Sequence, residues 1–394
     1  AEVASRPYDV LNSVEAKAEA TERSLLHIIK PEIDFTPIAD EHSAEVYAKA
    51  VENFKAWKER GWLVQDNEEH YYIYAQTMAG RTQYGIAMCC HFEDYLSGAI
   101  KKHELTRPDK EEDRMIHVRN QKANIEPVFF TYPDNDEINS IVESVVSQNE
   151  ADYDFTAEDG FGHHFWVIRD KALNDRITEL FASVPALYVA DGHHRTAAAA
   201  RVGQECMQKN PSHTGEEEYC YFLAVIFPDA QLNIIDYNRV VKDLNGRTSE
   251  EFLAEIGKVF EVKKIGEKAY APDTKLGFGM YLDNCWYALS AKAEISGRKD
   301  PVEALDVSVL QDFLLKPVLG IEDPRTDNRI DFIGGIRGLA ELERRCALDM
   351  KVAFAMYPTS IQELFAVSDA GKLMPPKSTW FEPKLRSGLF IHRI

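Results

Sequence analysis

The sequence predicts a mixed α/β (α+β) fold, and three observations carry the prediction. In "EHSAEVYAKAVENFKAWKERGW", the apolar residues Val46, Tyr47, Ala50, Val51, Phe54 and Trp57 recur at helical spacing. The β-rich runs "YYIYAQTM" and "RTQYGIAMCCHF" flank a turn at Ala79-Gly80 and read as a hairpin. From about Phe165 the pattern alternates strand, helix, strand, helix: "FWVI", "DKALNDRITELFA", "ALYVA", then a helix from Thr196 to Gln208.

The first helix stops at Gly61, a C-cap residue. The polar stretch from Glu93 to Asn124 reads as helical with one proline, Pro108, and "PVFFTY" follows as a strand. Aromatic flanks make "FGHHFW" a half-buried strand with His163 and His164 structural, and "RPYDV" (Arg6 to Val10) reads as a turn. "YCYFLAVIF" and "LNIIDYNRVV" are buried strands joined at Pro228-Asp229. In the last third "PVEALDVSVLQDFLLKPVL" reads as one helix and "KVAFAMY" as a strand, while Ser360 and Glu363 have capping-box spacing. The polar run "NPSHTGEEE" is the linker candidate, dividing residues 1–215 from 216–394.

A chain of 394 residues with 45% hydrophobic and 28% charged residues has the composition of a soluble globular protein of two or three domains. Its net charge of −20 argues against a general affinity for nucleic-acid backbone. No apolar run approaches the roughly 20 residues of a membrane span. The six cysteines, an adjacent Cys89-Cys90 pair and four singles, have no framework spacing and suggest reduced thiols in a cytoplasm. The sequence begins mid-pattern at Ala1, so further residues before it are expected.

The densest chemistry lies in "LYVADGHHRTAAAARV". A strand running into a helix here leaves first-turn N–H groups at the helix N-terminus, where anions and phosphate bind. Gly192 permits close backbone approach, Arg195 offers a bidentate fork, and His193 and His194 supply donors or a proton carrier. The alternatives are an Asp191 N-cap with histidines filling a polar turn, and zinc. Zinc lacks an accompanying CxxC or HExxH.

A second cluster, "IKKHELTRPDKEEDR", concentrates five bases in fifteen residues of an acidic chain. It reads either as a solvated helix face or as a polyanion contact through Lys102, Arg107, Lys110 and Arg114, with Glu104 or His103 as general base. "PPKSTWF" adds Lys377 as a weaker phosphate contact, without the glycines of a Walker loop.

The motifs "RPYDVL", "LLHIIKPEIDF", "IKKHELTRPDKEEDR", "ADGHHRTAAA" and "MPPKSTWFEPKLRSGLFIHRI" together resemble domain of unknown function 1015, a family often labelled SpoOJ/ParA/ParB-like. The local "DGHHR" before a helix is similar to the ParB/sulfiredoxin-like signature, whose members include sulfiredoxins, CTP-binding partition proteins and a free serine kinase. That resemblance implies a ParB/sulfiredoxin-like nucleotide-binding region followed by an additional α/β region. It implies phosphate contacts at Gly192, His194 and Arg195, with Asp191 and His193 alongside. His193 stands where a sulfiredoxin needs cysteine, and no recognition helix of a partition protein is visible.

The kinase-like expectation follows: transfer from ATP or ADP with magnesium to a small hydroxyl metabolite such as serine. Asp191 or Asp113 would be the magnesium ligands, and Asp191 joins Glu104 and His103 as a catalytic candidate. A non-catalytic nucleotide-binding regulator and a phosphatase of the same phosphometabolite are the alternatives. The expected partner is a small phosphorylated ligand rather than a membrane, with a homodimer left open.

Overall fold

The computed structural model describes residues 1–394, which form two units: residues 1–232 with 383–394, and residues 233–382. The first unit is built on strands β1 (Tyr72–Met78), β2 (Arg81–His91), β3 (Ile100–Lys101), β4 (Ala123–Asn124), β5 (Val128–Tyr132), β6 (Tyr153–Thr156), β7 (Gly162–Val167), β8 (Leu187–Asp191) and β9 (Tyr221–Pro228). Eight of them make one mixed sheet in the order β3-β8-β5-β9-β2-β1-β7-β6. The hairpin lies where the sequence places it, paired Tyr72↔Ala87 through Met78↔Arg81.

All five residues of β5 are buried. That fits a strand covered on both faces, whose sequence runs apolar without alternation. One cluster holds Val128, Phe130, Val189 and Phe222 with Ile138 and Val142 from the Asp136–Gln148 helix and Ile177 and Leu180 from the Lys171–Ala182 helix. A separate cluster joins Leu25, Leu26 and Ile28 to Phe54 and Trp57 of the Ala44–Glu59 helix. Full burial of such side chains is worth roughly 1.5–3 kcal/mol each.

Three details depart from the sequence reading. The boundary falls after Leu232, because β9 is a sheet strand of the first unit, paired to β2 and β5. The last residues also return to that unit: His392 and Arg393 pair with β4. Second, the glycine-led helix begins at His193, not Thr196, since Gly192 at φ 86° turns the chain immediately after β8. Ala197, Ala198, Ala199 and Ala200 are buried against the core.

Third, residues 301–319 are not one helix. A short α-helix at Asp306–Leu310 passes into a π-turn at Gln311–Leu315, closed by the Lys316 N–H on the Gln311 carbonyl at 2.9 Å. Pro301 and Pro317 bracket the segment and prevent a longer run. In the second unit six antiparallel strands lie in the order Phe260–Gly266, Cys285–Ala291, Gly277–Leu282, Val352–Met356, Tyr237–Val241, Ile330–Gly334. The Ser360–Glu363 capping box is present. No helix of the chain is long and apolar enough to cross a membrane.

Candidate functional site

The two clusters singled out in the sequence meet through one short pairing. β3 runs parallel to β8, with Ile100 opposite Leu187 and Lys101 opposite Tyr188. Continuing that register carries Lys102, His103 and Glu104 along the carboxyl end of β8, beside the loop that opens the next helix. The result is measurable: Glu104 Oε2 lies 3.8 Å from His193 Nδ1, and the His103 and His193 rings meet edge to face at 4.5 Å.

The His193–Lys209 helix is 17 residues long and has no side-chain cap. Its first intrahelical bond runs from the Thr196 N–H to the Gly192 carbonyl at 2.9 Å. Asp191 therefore does not cap it. Its carboxylate instead faces Lys384, at 3.1 Å, from the returning C-terminal segment. Burial alone would raise Asp191, but the charges of Lys384 and Arg195 outweigh it and bring the carboxyl down to about 2.

Arg195 turns inward. It is 9% exposed and donates from Nη1 to the Pro127 carbonyl at 2.7 Å. A Cβ on Gly192 would sit 3.2 Å from its Nε and Nη2, so glycine serves both the positive φ and the guanidinium folded beneath it. Burial opposes its charge, while Glu126, Asp9 and Asp191 restore it.

His193 is 7% exposed, and its Nε2 is buried with no hydrogen-bond partner. Burial and then the neighbouring His103 push it well below the usual imidazole range, so it is neutral near pH 7. His103, 1% exposed, is lowered to about 4 by burial, against the Asp191 charge and a hydrogen bond with the Val189 backbone. Glu104, with its side chain 42% exposed, is the member of this group that reaches the surface. His194 Nε2 accepts from the Arg107 backbone N–H at 3.0 Å, which latches the loop after Glu104 onto the helix.

Among the remaining bases, Lys102 is exposed, its Nζ 5.5 Å from the Tyr95 ring centroid. Arg107 pairs with Asp109 at 2.7 Å, Lys110 with Glu41 at 3.7 Å and Arg114 with Asp113 at 2.5 Å. Arg114 is also 3.9 Å above the Tyr8 ring, while the Tyr8 N–H donates to Glu126. The "RPYDV" segment thus closes one side of the Arg195 surroundings, a placement its own residues gave no reason to expect. Lys384 was equally inconspicuous, although "EPKLR" holds two bases in an acidic chain. Lys377 belongs to the second unit. His163 and His164 lie on β7, His163 bonded to the Tyr74 hydroxyl at 2.8 Å.

Both expected magnesium ligands are engaged with cations. Asp191 faces Lys384, and Asp113 faces Arg114 and accepts from Tyr47 at 2.7 Å. His213, Glu217 and Cys220 bring ligand atoms within 4.8 Å of one another, and Glu217 also accepts from the Thr214 and Gly215 N–H groups and ties the loop before β9. A cavity of about 40 Å³ lined by Arg114, His117, Glu126 and Arg195 takes water rather than a nucleotide.

A family model described as a protein of unknown function, DUF1015, matches residues 1–308. The chain belongs to the DUF1015 family. A comparison with curated proteins finds no matching sequence. Among solved structures, this DUF1015 chain is similar to free serine kinase in complex with AMP, at 13% identity, over 75% of this chain and 86% of that one, with a TM-score of 0.36. It is similar to SbnI with C-terminal truncation from Staphylococcus aureus at 11% identity, over 76% and 85%, with a TM-score of 0.39. A conserved hypothetical protein from Pyrococcus furiosus matches at 12% identity, over 76% and 93%, with a TM-score of 0.36. The ParB-like part of the family's label is not confirmed by these comparisons.

Proposed function

We propose that the protein is a nucleotide-dependent phosphotransferase acting on a small hydroxyl metabolite, with serine the acceptor to test first and ATP or ADP the donor. The observation that carries this reading is the uncapped start of the His193–Lys209 helix, set against a buried His193 whose Nε2 has no partner. A helix start of this kind favours phosphate oxygens through its orphan N–H groups and dipole.

In the forward step the acceptor hydroxyl oxygen bonds to the terminal phosphorus of the nucleotide. The bond from that phosphorus to its bridging oxygen breaks, and the shortened nucleotide leaves with the electron pair. Glu104 takes the hydroxyl proton, and Lys102 offsets the charge of the phosphate oxygens. Neutral His193 holds a phosphate or acceptor oxygen through Nε2, with its Nδ1 side facing Glu104. His103 positions that ring, being too enclosed to meet substrate itself. No step is assigned to a metal.

Glu104→Gln tests this directly. It should lower transfer by at least about 10²-fold, the usual worth of a positioned base, and leave nucleotide affinity within twofold. Wild-type protein that transfers no phosphoryl group from ATP or ADP to serine or to a metabolite extract overturns the reading. One observation favours a second reading, nucleotide binding without turnover: the Arg195 fork is turned toward Pro127. In that case nucleotides raise the melting temperature and Glu104→Gln changes nothing.

A further inference from the structure

The polar run between the His193–Lys209 helix and β9 brings three ligand-bearing side chains together. His213 Nδ1 lies 3.0 Å from Glu217 Oε2, and Cys220 Sγ lies 3.7 Å from the same oxygen. All three atoms fall within 4.8 Å of one another. Zinc bonds of about 2.0–2.1 Å to nitrogen, 2.0–2.2 Å to oxygen and 2.3 Å to sulfur put the ligand atoms of a tetrahedral site roughly 3.3–3.6 Å apart. The two measured edges already have the size of that tetrahedron.

The loop holds these groups in place. Glu217 accepts from the Thr214 and Gly215 N–H groups at 2.8 and 3.0 Å, with Gly215 at φ 94°. Each bond takes one lone pair of a carboxylate oxygen, and each oxygen has two, so Oε2 keeps one for a cation. The Cys220 N–H donates to the Glu217 carbonyl at 2.8 Å, and the His213 N–H donates to the Asn210 carbonyl at 3.1 Å. The Tyr219 hydroxyl accepts from Asn210 Nδ2 at 2.8 Å and stands 3.0 Å from His213 Nδ1, and its ring stacks on the imidazole at 5.9 Å. Cys220 is fully buried in the core cluster with Phe92 and Phe222, whereas the His213 and Glu217 side chains are 24% and 23% exposed. A cation therefore reaches the set from solvent and is anchored to the core through sulfur.

We propose that His213, Glu217 and Cys220 form a zinc site that staples the loop after the His193–Lys209 helix to the start of β9. A thiolate, an imidazole and one carboxylate suit zinc and not magnesium, which takes oxygen ligands. Three protein ligands leave the fourth tetrahedral position to water. On binding, the metal bonds to sulfur, nitrogen and oxygen form, the Cys220 S–H bond breaks and its proton passes to water. Neutral His213 keeps its one proton on Nε2, and nothing is oxidised or reduced. The helix of 17 residues, about 25 Å long at 1.5 Å per residue, separates this site from Gly192. The proposal is thus independent of the phosphotransfer reading and supplies no group to that step.

The experiment uses the full chain, stripped with a chelator and titrated with zinc against a chromophoric indicator, or with cobalt(II) as a spectroscopic stand-in. One zinc per chain should bind at low micromolar concentration, raise the melting temperature and slow hydrogen exchange in peptides spanning 210–220. Cobalt should show a thiolate charge-transfer band and the visible bands of tetrahedral coordination, and excess magnesium should displace neither metal. His213→Gln and Glu217→Gln, at positions partly open to solvent, should weaken zinc at least about tenfold, and Cys220→Ser should remove the charge-transfer band. Should Cys220→Ser not fold, His213→Gln decides, because it keeps every thiol. Glu104→Gln should retain its zinc, so failure here and failure of phosphotransfer are read separately. Absence of zinc binding to the wild-type chain, a charge-transfer band that persists in folded Cys220→Ser, or unchanged zinc affinity in His213→Gln overturns the proposal.

Discussion

Gly192→Ala is the sharpest single test of how the loop is built. At φ 86° an alanine adopts a conformation that costs about 1–2 kcal/mol. The new methyl would lie 3.2 Å from Arg195 Nε and Nη2 and 3.3 Å from Cζ, so the guanidinium must move by a few tenths of an ångström. That movement stretches the 2.7 Å bond to the Pro127 carbonyl, where a charge-assisted bond is worth about 1.5–3 kcal/mol. Losing part of it brings the total to about 2–4 kcal/mol. Urea unfolding, combined with hydrogen exchange of peptides spanning Leu187–Lys209, measures it in the right unit, since two units need not unfold together. The Arg195→Met background isolates the contact: there the alanine should retain only the backbone part, about 1–2 kcal/mol. An equal loss in both backgrounds, or a total under about 1 kcal/mol, refutes the packing of Arg195 beneath Gly192.

Other consequences follow from charge and fit. The Asp191 carboxyl, brought down to about 2 by the charges of Lys384 and Arg195, lies well below its ordinary 3.8, worth about 2 kcal/mol across its partners. With the folded value depressed, that stability is full above pH 4 and lost as pH falls toward 2. Lys384→Met should thus cost about 1–2 kcal/mol at pH 7, a difference that shrinks below pH 4 in denaturation series. For His103, a folded value near 4 against 6.5 means the unfolded chain binds the extra proton, so stability falls with pH from 6.5 to 4 by about 3 kcal/mol. His103→Asn should flatten that slope, and an unchanged slope between pH 7.5 and 4.5 contradicts a neutral buried ring. In Gly203→Ala the added carbon would lie 2.7 Å from the Tyr219 carbonyl oxygen and 2.9 Å from the Phe92 ring. This outweighs the roughly 1 kcal/mol of helix propensity gained, and the melting temperature should drop.

What the sequence made legible was local, and the reason is physical. The hairpin, the strand into Gly192 and the alanine-faced helix each rest on spacing within one segment, so periodicity and turn chemistry suffice to find them. The position of Glu104 beside His193 depends instead on the parallel pairing of a strand of only two residues, Ile100–Lys101, which no hydrophobic pattern announces. Lys384 meets Asp191 across 193 residues of chain, because the C-terminal segment returns to the first unit after 233–382. Charges read from sequence also carry no sign of their partners. Arg107, Lys110 and Arg114 looked like one basic platform, yet each stands against its own acid. Arg239 drew no notice in a strand of Asn, Arg and Val, yet it is 3% exposed and donates to the backbone carbonyls of Tyr237 and Lys377 rather than to an acid. Function in this chain is therefore best sought where a buried polar group lacks a partner, as at His193 Nε2, rather than where charged residues crowd together.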